Sequence, residues 1–228
     1  AFRPKMSVAK LYYWGIPGRA EVIKLAFHVG DIKFEEVTLS GGAEWSELKT
    51  SLLPTNPQVN LPLLEVDGQY FVESKAILRY AGLMSNLIPS NPLQQLRMDE
   101  ALNMTEDIFT TFSATFAIKD NEEKIAARKA LCEGDGKMVS VMAKLDSYLA
   151  QYCGEKSFIC GDDLTLADVA LFATFGTLVC GVFDGIPADF LASFANINSF
   201  RIRVGTHEKV ASRYAHLTEG LLFNAFKF

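Results

Sequence analysis

The chain carries only three histidines, and its four cysteines, Cys132, Cys153, Cys160 and Cys180, fall in the second half with no CxxC pair among them. That pattern excludes a zinc signature and fits free buried thiols in a reducing compartment. There is no basic excess either. Twenty-two Lys and Arg stand against 27 Asp and Glu, a net charge of −5, and no basic cluster or stripe marks a nucleic-acid surface. No apolar run approaches the roughly 20 residues that span a bilayer. The opening residues, Ala1-Phe2-Arg3-Pro4-Lys5-Met6, lack the apolar stretch of a signal peptide, so residues 1–6 are expected to be a tail with Met6 as the natural start. Internal repeats and low-complexity segments are absent too. What is present is ordinary globular material: 228 residues, 49% apolar and 21% charged, enough for one large domain or two small ones.

The most informative stretch is Val59–Lys75. Asp67-Gly68 separates two short runs of strand-forming residues, Leu63–Val66 and Gln69–Val72, which is a strong hairpin signal. Pro62 has no amide hydrogen to give to a ladder, so it belongs at the strand's start, and a cis bond before it is expected. Ser74 reads as the N-cap of a helix continuing through Ala76, Ile77, Leu78 and Tyr80. The free amides of a helix N-terminus can hold a carboxylate.

The rest of the first third reads as a βαβ unit. Lys10–Trp14 is predicted to be a strand, Glu21–Val29 a helix stopped by Gly30, and Phe34–Leu39 a strand parallel to the first. A short helix over Trp45–Leu52 precedes the hairpin. Asn86–Pro92, with two prolines, reads as a linker. Beyond it the pattern is helical throughout: Leu93–Ile118, then Glu122–Tyr152 weakened by Gly134 and Gly136, then Leu166–Phe183. Thr165-x-x-Asp168 is a capping box for that last helix, which is apolar on all sides and so is expected at the centre of its domain. Shorter helices are expected in Pro187–Arg203 and Lys209–Leu217, and the apolar tail from Leu221 needs a surface to cover.

Five motifs in this order, Tyr13-Trp14-x-x-Pro17-Gly18-Arg19, Trp45-x-x-x-Lys49, Leu61-Pro62, Glu73-Ser74-x-Ala76-Ile77 and Gly161-Asp162 through Thr165-x-x-Asp168, resemble those of a cytosolic glutathione transferase over nearly the whole chain from Val8. The resemblance implies an α/β thioredoxin-like N-terminal domain of order βαβαββα over 7–85, a linker over 86–92 and an all-α domain over 93–228. It also implies a cytoplasmic homodimer with a detoxification role, and glutathione as co-substrate with no metal. Among the classes the sequence is most similar to the tyrosine-type, sigma-like members: no serine or cysteine lies between Tyr13 and Arg19, which supports tyrosine, and Glu106-Asp107 resembles the acidic pair of the sigma class.

By that resemblance Tyr13 is the catalytic residue. Thiolate is the nucleophile, the free thiol ionises near pH 8.5, and a phenol with a pKa of about 10 can donate a hydrogen bond to the sulfur anion. Counting back from Gly18-Arg19 selects Tyr13, and alternation along the strand sends Tyr12 to the other face. The resemblance further implies glutathione contacts from Arg19, Trp45, Lys49, Asn60, Leu61, Pro62, Glu73 and Ser74, and from Asp107 of the partner subunit, thirty-three positions after Ser74. Leu61 would pair its backbone with the peptide as a short β-augmentation. Glu73 departs from the glutamine usual in tyrosine-type relatives, and Asn60 from the usual lysine or glutamine. The electrophile site is expected from Trp14, Ile16, Phe109, Phe112 and Phe116, with the C-terminal tail. The activity implied is conjugation of glutathione to apolar electrophiles. The rivals are a glutathione-dependent isomerase of the prostaglandin D synthase or maleylacetoacetate kind, and a carrier or crystallin-like protein on the same fold.

Overall fold

The computed structural model of the protein describes residues 8–154 and 156–228. The tail expected at residues 1–6 lies outside the described residues. The chain divides into two compact units, one ending at Asn86 and the other spanning Leu87–Phe228.

The first unit is a four-stranded sheet with helices. Strand β1 (Ala9–Trp14) leads through a 3-10 turn at Gly18–Ala20 into helix α1 (Glu21–Val29), and β2 (Phe34–Leu39) follows. Helix α2 (Gly42–Leu52) precedes β3 (Leu63–Val66), β4 (Gln69–Phe71) and helix α3 (Ser74–Met84). The sheet order is β2-β1-β3-β4. Strands β1 and β2 are parallel, as a βαβ crossover requires, with Tyr13 opposite Thr38. Strand β3 runs antiparallel to β1 and to β4. The hairpin is as expected, since Asp67 and Gly68 both take positive φ (50° and 75°), the combination a two-residue primed turn demands. The Leu61–Pro62 bond is cis.

Three local expectations need correction. Ser74 is not the N-cap but the first helical residue. Glu73 occupies the cap position with φ 70° and offers no side-chain cap. Gly30 does not stop α1 through a left-handed backbone, because its φ is −83°. It is glycine for space: a Cβ there would lie 2.3 Å from the Cβ and Oγ of Ser85. Strand β4 ends one residue early, at Phe71.

In the second unit, Pro92 is already helical, at the first position where a missing N–H costs nothing, and Asn91 caps the helix by accepting from the amides of Leu93 and Gln94. Helix α4 (Pro92–Ser113) passes into a 3-10 turn at Ala114–Ala117, so it is shorter than the expected run to Ile118. The stretch containing Gly134 and Gly136 breaks into α5 (Asn121–Cys132) and α6 (Lys137–Cys153). Helix α7 (Leu166–Val179) stops four residues before Phe183, and every one of its side chains is buried, as its all-round apolar sequence requires. Helices α8 (Ala195–Gly205), α9 (Glu208–Tyr214) and α10 (Leu221–Phe226) complete the unit.

The capping box of α7 is complete. The Asp168 carboxylate accepts from the Thr165 amide (2.8 Å) and hydroxyl (2.7 Å), and from the Ile159 amide (2.9 Å). Burial pushes this carboxyl up to about 6, against the donors that favour its ionised form. The Leu166 amide reaches back to the Leu87 carbonyl (2.9 Å), tying the start of α7 to the first residue of its unit. The apolar tail finds its surface: Phe226 stacks on Tyr214 with ring centroids 4.8 Å apart and fills the space left by Gly176. All four cysteines are free and buried, and burial pushes the Cys153 thiol up to about 12, so it is inert at neutral pH.

Candidate functional site

The two tyrosines of β1 separate as strand alternation predicts, but their environments decide what each can do. Tyr12 packs against a small apolar cluster of Leu52, Val59 and Leu63, and its hydroxyl donates to Glu65 Oε2 at 2.7 Å. Burial and the neighbouring carboxylate raise its pKa, so its proton is fixed in place. Tyr13 is on the opposite face and only 9% exposed. Its oxygen accepts the Arg19 amide N–H at 3.1 Å, and among the described residues that is its one hydrogen bond. Burial raises its pKa, while the Arg19 amide and the Arg19 charge pull the other way. The result is a phenol held protonated, its oxygen already engaged from the protein side and its proton available to another acceptor.

The turn after β1 creates this arrangement. The Pro17 carbonyl accepts the amides of Ala20 and Glu21, which closes the turn and aims the Arg19 N–H at Tyr13. Gly18 is the residue that sequence reasoning left without a role. It takes φ +43°, and a Cβ built on it would lie 2.5 Å from Tyr13 Oη and 2.8 Å from Cε1. Only glycine lets the backbone pass this close to the phenol. The available signal was Gly18 within Pro17-Gly18-Arg19, which marked a turn but not the ring beneath it.

Around the other expected positions the first unit offers donors and rings. Trp45 and Trp14 meet edge to face, centroids 6.5 Å apart and planes at 78°. The Lys49 ammonium lies 6.0 Å from the centroid of the Trp45 ring. Asn60 Oδ1 accepts the Leu61 amide at 2.9 Å, so the amide expected to meet a peptide is bonded to its neighbour's side chain. Glu73 is exposed, and its left-handed backbone places Ser74 at the head of α3. Pro62 is buried and Ile16 half-buried.

In the second unit the aromatic ridge divides. Phe109 (9% exposed) and Phe112 (2%) are interior residues, and Phe112 is ringed by Phe109, Phe116 and Phe183 at 4.7–5.8 Å. Only Phe116, 54% exposed, is open. Arg128 is buried behind it, with Nε donating to Thr115 Oγ1 (3.0 Å) and its guanidinium near the rings of Phe116 and Phe183. Phe226 of the tail is 1% exposed and committed to the interior. Asp107 is exposed on α4. No group of three His, Cys, Asp or Glu able to hold a metal, and no helix long and apolar enough to cross a membrane, occurs among the described residues.

Residues 9–82 match the family model of the glutathione S-transferase N-terminal domain, and residues 106–215 match that of the C-terminal domain. The chain is 32% identical to the hematopoietic prostaglandin D synthase of Gallus gallus over 203 residues, 89% of this chain and 93% of that protein. It is 29% identical to glutathione S-transferase P 10 of Caenorhabditis elegans, over 86% of this chain and 85% of the relative. Among solved structures, a rat hPGDS complexed with a quinoline superposes with a TM-score of 0.76 at 25% identity, covering 94% of this chain and all of the other. The chain therefore belongs to the glutathione S-transferase family of enzymes, with the thioredoxin-like and all-α architecture of that family and glutathione as its implied co-substrate.

Proposed function

We propose that the protein is a tyrosine-type, sigma-like glutathione transferase that activates glutathione as a thiolate through Tyr13 and adds it to apolar electrophiles. The observation that carries this is the contrast within β1: the Tyr12 hydroxyl spends its hydrogen bond on Glu65, whereas the buried Tyr13 has its oxygen braced by the Arg19 amide and its O–H left to meet another acceptor. A neutral phenol of that kind donates to a sulfur anion in a poorly hydrated site, which favours the thiolate over the thiol.

In this reading the Ser74 end of α3 takes the γ-glutamyl carboxylate and Glu73 the amine. Leu61 and Pro62 meet the cysteinyl backbone, with Asn60 Oδ1 releasing the Leu61 amide to the peptide. Trp45 and Lys49 take the glycine end, and Arg19 adds positive charge near the thiolate. Asp107 of the partner subunit completes the contact in a cytoplasmic homodimer. The candidates for the electrophile are Trp14 and Ile16 in the first unit and Phe116 in the second, where Phe112 packs on Phe116 and Phe109 on Phe112. A second reading, a glutathione-dependent isomerase that returns its glutathione, is favoured by the likeness to prostaglandin D synthases. It uses the same thiolate and differs in consuming no glutathione.

The test is the ultraviolet absorbance of the thiolate of bound glutathione against pH, in wild type and Tyr13→Phe. The wild-type thiol is expected well below its free value of about 8.5, with the variant returning towards it. Binding without a lowered value would sink the activation claim, and an equal lowering in both proteins would sink Tyr13.

A further inference from the structure

The protein has two tryptophans, and the fold brings them together at the edge of the candidate site although they are 31 positions apart (45 − 14). Helix α2, which carries Trp45, is a lightly held element. Of its eleven residues only Leu52 at the far end is buried. Its N-terminus is built from Gly41 at the cap and Gly42 as first helical residue, where an added Cβ would meet nothing within 4 Å. The first turn is tied down by Ser40, whose amide and hydroxyl both donate to Glu44 Oε2 in an exposed contact, and by the ring of Trp45. That ring is set between the edge-to-face contact with Trp14 and the apolar cluster of Leu52, Val59 and Leu63. Segments with so few buried contacts open most readily, so the few contacts they do make set their position.

We propose that Trp14 is a positioning residue for Trp45: by buttressing that ring it fixes the first turn of α2, and so sets the affinity for glutathione. This rests on the reading that Trp45 and Lys49 receive the glycine end of the peptide. Its consequence is that a residue of the electrophile wall governs binding of the other substrate. The strength of an edge-to-face pair, about 0.5–1.5 kcal/mol, corresponds to a factor of roughly two to ten in affinity.

The experiment is a double-mutant cycle on the glutathione dissociation constant, measured by calorimetry, with Trp14→Ala, Trp45→Ala and the double variant. Trp14→Ala is expected to weaken glutathione roughly three- to tenfold while leaving the thiol pKa of the bound peptide where it was. Trp14→Phe, which keeps a ring, should stay within about twofold of wild type. The double variant should be no worse than Trp45→Ala alone. Should Trp14→Ala fail to fold, Trp14→Leu, apolar but ringless, replaces it. Independent losses that multiply in the double variant, or a glutathione affinity indifferent to Trp14, overturn the proposal. A Trp45→Ala protein that binds glutathione like wild type overturns the glycine-end reading on which it rests. A wild-type protein that binds no glutathione overturns the reading of the whole site and this proposal with it.

Discussion

The two units of the chain spend their unusual residues differently. In the first unit some of the irregular positions sit beside the candidate chemistry: a left-handed Gly18 under a phenol, a left-handed Glu73 heading α3, and an α2 that is mostly exposed, while the left-handed Asp31, Asp67 and Asn86 serve turns. In the second unit the irregularities lie at helix ends, and the main investment is burial, with α7 enclosed along its whole length and its start locked by Asp168. In the proposed reading, strained or sparsely packed backbone occurs near the glutathione positions, and the most complete packing in the α7 core. Variants in the first unit should therefore change rate more than stability, and variants in the second the reverse.

The largest effect is expected within β1. Tyr13→Phe should lower kcat/KM by about 10²–10³, the usual cost of removing one preorganised donor. Tyr12→Phe should stay within a few-fold in rate and lose about 1 kcal/mol of stability with its bond to Glu65. Steady-state kinetics and urea denaturation on the pair would break the comparison if the two tyrosines proved alike. Next, Asp168→Ala strands the amides of Ile159 and Thr165 in the interior and should cost about 2–4 kcal/mol in chemical denaturation, with kcat of the folded protein unchanged. Gly18→Ala crowds Tyr13 and should cut kcat/KM by roughly tenfold or more, while the unfolding midpoint moves less than in the Asp168 variant.

The smallest effect is in the pH profile. Burial holds the Tyr13 phenol above its ordinary value of 10, so in the folded protein it stays neutral throughout the neutral range and loses its proton only in strong alkali. The rate should rise with pH as the glutathione thiol ionises and then level off, with no descending limb from Tyr13 below pH 10. A fall between pH 8 and 10 that vanishes in Tyr13→Phe would contradict the burial argument.

Much of this was legible in the chain itself, because the signals are local. Asp67-Gly68 fixed its turn through the φ values those residues tolerate, and strand alternation separated Tyr12 from Tyr13. Thr165 and Asp168 declared a helix start through their own side chains, and the apolar sequence of α7 required a place inside. The errors were where a neighbour distant in sequence decides. Gly30 does end α1, but what requires glycine there is Ser85, packed against it from 55 positions away (85 − 30), and Phe112 is covered by Phe183, which no spacing near it announces. The cap of α3 moved to Glu73 because the backbone arriving from β4 takes a left-handed step that no propensity favours.

By itself, then, the sequence determined the periodicities, the turns and the candidate residues, since each depends on atoms within a few positions of one another. Tertiary structure alone decided which tyrosine keeps an uncommitted proton, why residue 18 must be glycine, and that Trp14 meets Trp45. These are through-space distances of a few ångströms between residues set by the packing of whole elements, and spacing along the chain does not encode them.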